Sequence, residues 1–258
     1  MAERKFSPDE ANLFRVLRTE PKEIKSRQLV KDPATTPRSE NPFYIAHRDG
    51  AVLNFPKEPN EFYLVSHEVD WREGRELKPP SGIYWDFRSP NDNLLKAMGI
   101  VLARVPLDVQ PQYCAGIPTT GGKIASVYAE YAPGVTYLDL FQKIEKDGGT
   151  TIVEADNAPQ GHGEPLVLID DVLSKGTSAL PAFGAAKRLG FEPRLLVVID
   201  RQQGGVARLA KAGYKVFAWC NVEEALDYYL NQAPQEICIS QEQYDSALES
   251  LRQDQFSG

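Results

Sequence analysis

"LVLIDDVLSKGTSAL", residues Leu166 to Leu180, carries the fold in its first half and the chemistry in its second. Four consecutive apolar residues lead into Asp170 and Asp171, and a short turn follows with Ser174, Gly176, Thr177 and Ser178. An unalternated run of Leu, Val and Ile suits a strand covered on both faces, the condition of a parallel sheet flanked by helices. Taken alone, the acidic pair fits the end of any such strand, with Thr177 or Ser178 capping the next helix.

Outward from this stretch, strand and helix patterns alternate. Upstream, "GIYWDFR" reads as a strand, "PNDNLLKAMGIVLARV" as a helix, "QYCAGIP" as a strand and "GGKIASVYAEYA" as a helix, before an irregular stretch from Pro133 to Glu164. Downstream come a helix from Thr177 to Leu189 stopped by Gly190, the strand "RLLVVI", the helix "GGVARLAKA" stopped by Gly213, the strand "KVFAW", and helices at "VEEALDYYL" and "EQYDSALESLRQ". The fold class is therefore α/β, a doubly wound, mostly parallel sheet. At the N-terminal end, Ser7, Pro8 and Glu10 make a capping box for a short helix, and "AVLNF" and "FYLVS" flank "PKEPNE" as the strands of a hairpin.

The chain has 258 residues, 42% of them hydrophobic, enough for one sizeable core. A formal charge of −7 argues against a nucleic-acid surface and leaves room for a local basic loop that handles a small anion. Cys114, Cys220 and Cys238 are odd in number, widely spaced and set among apolar residues, which predicts buried free thiols in a reducing compartment rather than a disulfide framework or metal site. No apolar run reaches the roughly 18 to 20 residues of a bilayer span. The opening "MAERKFSPDE" lacks the apolar core of a signal peptide, so the expected setting is the cytoplasm, with no membrane partner.

In open α/β sheets ligands sit beyond the carboxyl ends of the strands, where "DDVLSKGTS" falls. Successive backbone N–H groups in a tight turn ahead of a helix form a concave anion site, and small hydroxyl residues add donors without filling it. A phosphate monoester fits. The two aspartates would repel that phosphate in direct contact, so they suit neutral hydroxyl donors or a hydrated Mg²⁺. A sugar phosphate presents both ends. "GIPTTGGKIA" is a near miss for a Walker loop, because Gly122 separates Gly121 from Lys123 and Ile124 follows the lysine.

The complete pattern from Leu166 to Ser178 resembles the phosphoribosyl-pyrophosphate signature of type I phosphoribosyltransferases. With "GIYWDFRS", "GIPTTGGKIA" and "LVVIDRQQGGVARLAKAGYKVFA" in the same order, residues 78 to 230 resemble orotate phosphoribosyltransferase. The resemblance implies a phosphoribosyltransferase domain over 78–258 and a hood-like N-terminal extension over 1–77. It implies that phosphoribosyl pyrophosphate is bound by Lys78, by Thr119, Thr120 and Gly121 ahead of Gly122, by Lys143 and Lys146, and by Asp170, Asp171, Val172, Leu173, Ser174, Lys175, Gly176, Thr177 and Ser178. Tyr84, Trp85, Ser174 and Arg201 would meet the base, Arg201 gripping an acidic base through its planar fork of donors. Ser81, Asp86 and Arg88 fall on further matching positions of the strand holding Tyr84.

The family's mobile loop has the form R-K-x-x-K-x-H, onto which Gln142, Lys143, Lys146 and Gly148 fall, so two positions match and two depart. At i and i+3, Lys143 and Lys146 would share a helical face. His162, in the following loop, is a candidate to replace the missing histidine. By resemblance Lys143, Lys146, Asp170 and Asp171 are the catalytic residues, Mg²⁺ is the cofactor with Asp170 and Asp171 its indirect ligands, and the protein is a homodimer sharing active sites. The expected reaction is Mg²⁺-dependent transfer of ribose 5-phosphate from phosphoribosyl pyrophosphate to orotate. The alternatives are a phosphoribosyltransferase for another base and a non-catalytic phosphoribosyl-pyrophosphate-binding regulator.

Overall fold

The computed structural model describes residues 4–18, 53–54, 84–85, 87, 90–146 and 149–255. Two compact units divide the chain, one formed by residues 1–13 and 92–222 and the other by residues 14–91 and 223–258.

The first unit is built on five parallel strands. In chain order its elements are α2 (Asp92–Leu102), β3 (Tyr113–Gly116), α3 (Gly121–Tyr131), β4 (Thr136–Tyr137), β5 (Phe141–Lys146), β6 (Gly149–Glu154), β7 (Pro165–Leu173), α4 (Ala179–Arg188), β8 (Glu192–Asp200), α5 (Gly205–Lys211) and β9 (Val216–Asn221). The sheet order is β4-β3-β7-β8-β9, every neighbouring pair parallel. The first strand of this sheet, β3, sends its successor β4 to one side, and β7, β8 and β9 extend to the other. The direction of winding therefore reverses between β3 and β7, which opens a crevice at their carboxyl ends.

The expected strands and helices fall where the apolar patterns placed them. Leu166 to Ile169 in β7 and Leu195 to Ile199 in β8 are fully buried, as a sheet covered on both faces demands. In α2 the buried Leu94, Ala97, Met98, Val101 and Leu102 follow the spacing of one helical stripe. In α4 Ala182, Phe183, Ala185 and Ala186 are buried, and the ring of Phe183 stacks on Tyr214 with centroids 3.9 Å apart. One apolar cluster joins these residues to Ile117, Leu166, Leu168, Leu173 and Leu195.

Two expectations need correction here. The stretch from Pro133 to Glu164 is not irregular: it contains β4 and an antiparallel hairpin of β5 and β6, with Lys143 opposite Ile152 and Lys146 opposite Gly149. Phe141 and Ile152 anchor this hairpin in the main apolar cluster. Lys143 and Lys146 consequently lie on a strand, and the helical i, i+3 relation between them does not hold. Second, all three cysteines are free, but only Cys114 and Cys220 are buried; Cys238 is exposed.

The second unit takes in β1 (Leu53–Asn54), β2 (Tyr84–Trp85), α7 (Gln241–Gln255) and, from Glu223, α6 (Val222–Asn231). The strand predicted within "AVLNF" is present as β1, and its antiparallel partner is β2; the segment expected to pair with it, 62–66, lies outside the described residues. Phe14, in α1 (Pro8–Arg18), stacks on Tyr228 at 4.1 Å, and the Tyr229 hydroxyl donates to the Phe14 carbonyl at 2.8 Å. The capping box that starts α1 is formed: the Ser7 N–H donates to Glu10 Oε2 at 2.8 Å and the Glu10 N–H to Ser7 Oγ at 3.4 Å. Among the described residues no helix is long and apolar enough to cross a membrane.

Candidate active site

The loops following β3, β7 and β8 meet at the carboxyl ends of their strands. After β3, the Ile117 N–H donates to the Ile169 carbonyl at 2.8 Å, fastening the loop that carries Thr119 and Thr120 to the end of β7. The Pro118–Thr119 peptide is cis. Gly121 begins α3 so close to β7 that an added Cβ would lie 2.3 Å from the Ile169 carbonyl oxygen, and only glycine permits this approach.

The strand β7 continues past its apolar run, so Asp170 and Asp171 belong to the strand itself and the turn starts at Ser174. The Asp171 N–H donates to Asp170 Oδ1 at 3.0 Å, and the Val172 N–H donates to Asp171 Oδ1 at 2.7 Å. Burial, and then the like charge of Asp171, raise Asp170 well above the usual carboxylate range, while the Lys143 ammonium opposes that shift. Burial also raises Asp171, against hydrogen bonds from the Val172 N–H, from Asp170 and from the Thr120 hydroxyl. The pair holds protons more readily than isolated carboxylates do. Thr120 is itself buried, and its hydroxyl serves Asp171 rather than capping α3. The loop after β3 is thus tied to the acidic pair on β7.

From Ser174 to Ser178 the turn stays open. Gly176 adopts φ +71°, a conformation that L side chains resist. Thr177 and Ser178 are exposed, and the Ser178 hydroxyl makes no capping bond to α4, so its role as a simple helix cap is not realised. Exposed hydroxyls, the backbone turn and a helix N-terminus together form a cradle suited to a phosphate.

The third loop lies against this cradle. The Arg201 N–H donates to the Leu173 carbonyl at 2.9 Å and the Gly205 N–H to the Ser174 carbonyl at 2.8 Å. The Arg208 guanidinium donates to the Lys175 carbonyl at 3.2 Å. Arg201 is half-buried, directly after the end of β8. Thr119, Thr120, Gly121, the whole of Asp170–Ser178 and Arg201 are therefore brought together, with the Lys143 charge reaching Asp170.

Other expected positions behave differently. His162 is exposed and lies at the amino end of β7, where Gly161 and Gly163 donate to the carbonyls of Leu189 and Gly190, each at 2.7 Å. Residues Pro165 to Ile169 of β7 lie between it and the acidic pair, roughly 17 Å of extended chain. It does not replace the loop histidine. Gln142 instead of arginine is used structurally: its Nε2 donates to the Glu154 carbonyl and to Asp156 Oδ1, both at 3.1 Å, closing the base of the hairpin. Tyr84 and Trp85 form β2 in the second unit. Lys78, Ser81, Asp86, Arg88 and Gly148 lie outside the described residues.

Sequence reasoning missed the bond from Thr120 to Asp171 and the turn made by Asp200, whose Oδ1 accepts the Gln202 N–H at 2.9 Å. An aspartate two residues ahead of a left-handed residue is a readable turn signal. A separate cavity of about 390 Å³ lies against β9, lined by Arg4, Glu10, Arg104, Phe217 and Trp219 among others. It shares no residue with the cradle, and its charges pair within the chain, Arg4 with Glu10 at 2.8 Å and Arg104 with Asp9.

With strand order 2-1-3-4-5, this cradle at the winding reversal and flanking helices, the fold is that of the type I phosphoribosyltransferases. Among solved structures, the UMP synthase of Leishmania donovani superposes with a TM-score of 0.58 at 20% identity, over 78% of this chain and 39% of that one. The orotate phosphoribosyltransferase of Mycobacterium tuberculosis, in complex with inorganic phosphate, gives 0.51 at 14% identity, over 85% and 99%. Curated relatives carry the particular name orotate phosphoribosyltransferase. That of Halobacterium salinarum is 32% identical over 117 residues, 44% of this chain and 63% of the relative. That of Sulfurisphaera tokodaii is 32% identical over 94 residues, 35% of this chain and 46% of the relative. The chain thus spans less than two thirds of the length of these relatives. No family model matches it.

Proposed function

We propose that the protein transfers ribose 5-phosphate from phosphoribosyl pyrophosphate to orotate, giving orotidine 5′-phosphate and pyrophosphate. The observation that carries this reading is the joining of the Asp170–Ser178 cradle to the Arg201 loop by two main-chain bonds, which sets an anion-and-hydroxyl site beside a cation suited to a carboxylated base. The names of the curated relatives support the same choice of base.

In this reading the turn from Ser174 to Ser178 holds the 5′-phosphate and the acidic pair receives the ribose hydroxyls. The C1′–O bond breaks with its electron pair leaving on pyrophosphate, C1′ bonds to a ring nitrogen of the acceptor, and that nitrogen's N–H proton is released to the leaving pyrophosphate or to water. Charge grows on the leaving group as C1′ becomes oxocarbenium-like, so cations placed there act on the transition state. Lys143, on the hairpin, and Lys146, at its end, supply them. Ser174 and Arg201 orient the base, and positioning supplies much of the remainder.

The fit to Mg²⁺ is limited but chemically sound. Among the described residues no group of three or more His, Cys, Asp or Glu side chains converges as a metal cage. Two adjacent carboxylates with raised proton affinity suit a hydrated ion held mainly by substrate oxygens. Asp170 and Asp171 would hold it through water, and it would neutralise charge on the pyrophosphate.

The test is competition. Purified protein given phosphoribosyl pyrophosphate and Mg²⁺ should release pyrophosphate with orotate and not with uracil, adenine or xanthine. Consumption of another base would reassign the acceptor, and tight sugar-phosphate binding without release would leave a regulator.

A further inference from the structure

Asp200 is the last residue of β8, in register with Leu173 on one side and Asn221 on the other. Its carboxylate accepts the Gln202 N–H at 2.9 Å. Gln202 has φ +55° and, among the described residues, is the one non-glycine residue with positive φ. A short carboxylate that accepts the N–H two residues on stabilises such a turn. The residues around Gln202 are meanwhile fastened to the cradle: Arg201 to the Leu173 carbonyl, Gly205 to the Ser174 carbonyl. The approach at the second point is so close that a Cβ on Gly205 would sit 2.4 Å from the Ser174 oxygen. Gln202 to Gly204 therefore span two main-chain points that are both fixed to the cradle.

We propose that Asp200 is a positioning residue, which by holding Gln202 left-handed fixes Arg201 at a set distance from the ribose-phosphate cradle and so governs use of the acceptor base rather than of the sugar donor. The inference rests on the assignment of Arg201 to the acceptor made above. Asp200 itself need not touch either substrate. Its loss lets Gln202 relax toward the conformations that non-glycine residues prefer, and Arg201 turns away from the base while the turn from Ser174 to Ser178 is untouched.

The test uses the full chain and three variants: Asp200→Ala, Asp200→Asn, and Asp200→Ala combined with Gln202→Gly. Asparagine keeps an oxygen acceptor and the turn, and glycine adopts positive φ without a holder. Asp200→Ala should raise the KM for orotate ~10-fold or more while that for phosphoribosyl pyrophosphate stays within ~2-fold, since small misplacements of a binding group are costly. Asp200→Asn and the double variant should each recover most of the loss. Limited trypsin digestion gives a readout independent of turnover: cleavage after Arg201 should be fast in Asp200→Ala and slow in the wild type, in Asp200→Asn and in the double variant. Asp200→Asn as impaired as Asp200→Ala, or Asp200→Ala with both KM values and the digestion unchanged, would overturn the proposal. A protein that consumes no orotate but shows the expected digestion pattern overturns the choice of base while upholding the role of Asp200 in the turn.

Discussion

Asp170→Asn should make the unliganded protein more stable and a poorer enzyme. Asp170 is half-buried on β7, beside a second carboxylate, and its proton affinity is raised first by burial and then by that neighbour. A carboxylate with a pKa higher folded than unfolded adds stability that is fully present below the unfolded value, about 3.9, and is lost as pH rises through the folded value. At neutral pH the folded chain therefore bears a charge that it disfavours. A neutral isostere removes that cost, and burial of one poorly compensated polar group counts on the scale of about 1 to 2 kcal/mol, so the variant should be more stable near pH 7.5 by about that much, or ~2–8 °C in Tm for a chain of this length. Asparagine keeps the Oδ1 acceptor that the Asp171 N–H uses, so the local backbone is retained. The gain should shrink toward pH 4, where the wild-type carboxyl is itself protonated. Binding of phosphoribosyl pyrophosphate should weaken by roughly 10- to 100-fold, the cost of exchanging a charged acceptor for a neutral one. Thermal unfolding between pH 4 and 8, with titration calorimetry for the sugar phosphate, measures both effects. A variant that is less stable at pH 7.5, or one whose stability difference does not change with pH, would refute the reasoning.

Other substitutions probe the remaining joints of the site. Gly121→Ala drives a methyl group to 2.3 Å from the Ile169 oxygen and should lower stability by about 1 to 3 kcal/mol in denaturant titrations. Thr120→Val keeps the shape and removes the hydroxyl bound to Asp171; unfolding experiments should show a loss of about 1.5 to 3 kcal/mol, with a further rise in the proton affinity of Asp171. Lys143→Ala should reduce kcat by ~10²-fold in steady-state assays while leaving sugar-phosphate binding largely intact, because its charge acts on the leaving group. Thiol labelling at pH 8 should modify Cys238 rapidly and leave Cys114, whose thiol burial pushes up to about 12, unreacted in the folded chain.

The sheet was legible because its strands are long unalternated runs of Val, Ile and Leu closed by turn residues, and Leu166–Ile169 and Leu195–Ile199 prove buried throughout. The cradle was legible because two acids and a hydroxyl-rich turn directly follow such a run. The β5–β6 hairpin was not. "FQKIEK" was read at helical spacing, although the Asp147–Gly148 pair between it and "GTTIVE" is a strong local hairpin signal. What holds the hairpin in place, Phe141 and Ile152 in the apolar cluster and Gln142 bridging to Glu154 and Asp156, depends on partners distant in the chain or on side-chain direction. The same is true of Thr120. Its loop reads as a pyrophosphate turn, but its bond to Asp171 exists only because the sheet sets β3 beside β7. Cys238 has apolar neighbours on both sides in sequence, and yet the backbone turns Ile237 and Ile239 inward and leaves the cysteine exposed.

The most direct measurement of the central claim is the stoichiometry of a single reaction mixture: protein, Mg²⁺, phosphoribosyl pyrophosphate and orotate, followed by orotate absorbance and pyrophosphate release together. One pyrophosphate released for each orotate consumed, with orotidine 5′-phosphate formed and no release when orotate is omitted, is the expected result. Saturable binding of phosphoribosyl pyrophosphate with orotate and pyrophosphate both unchanged would contradict it.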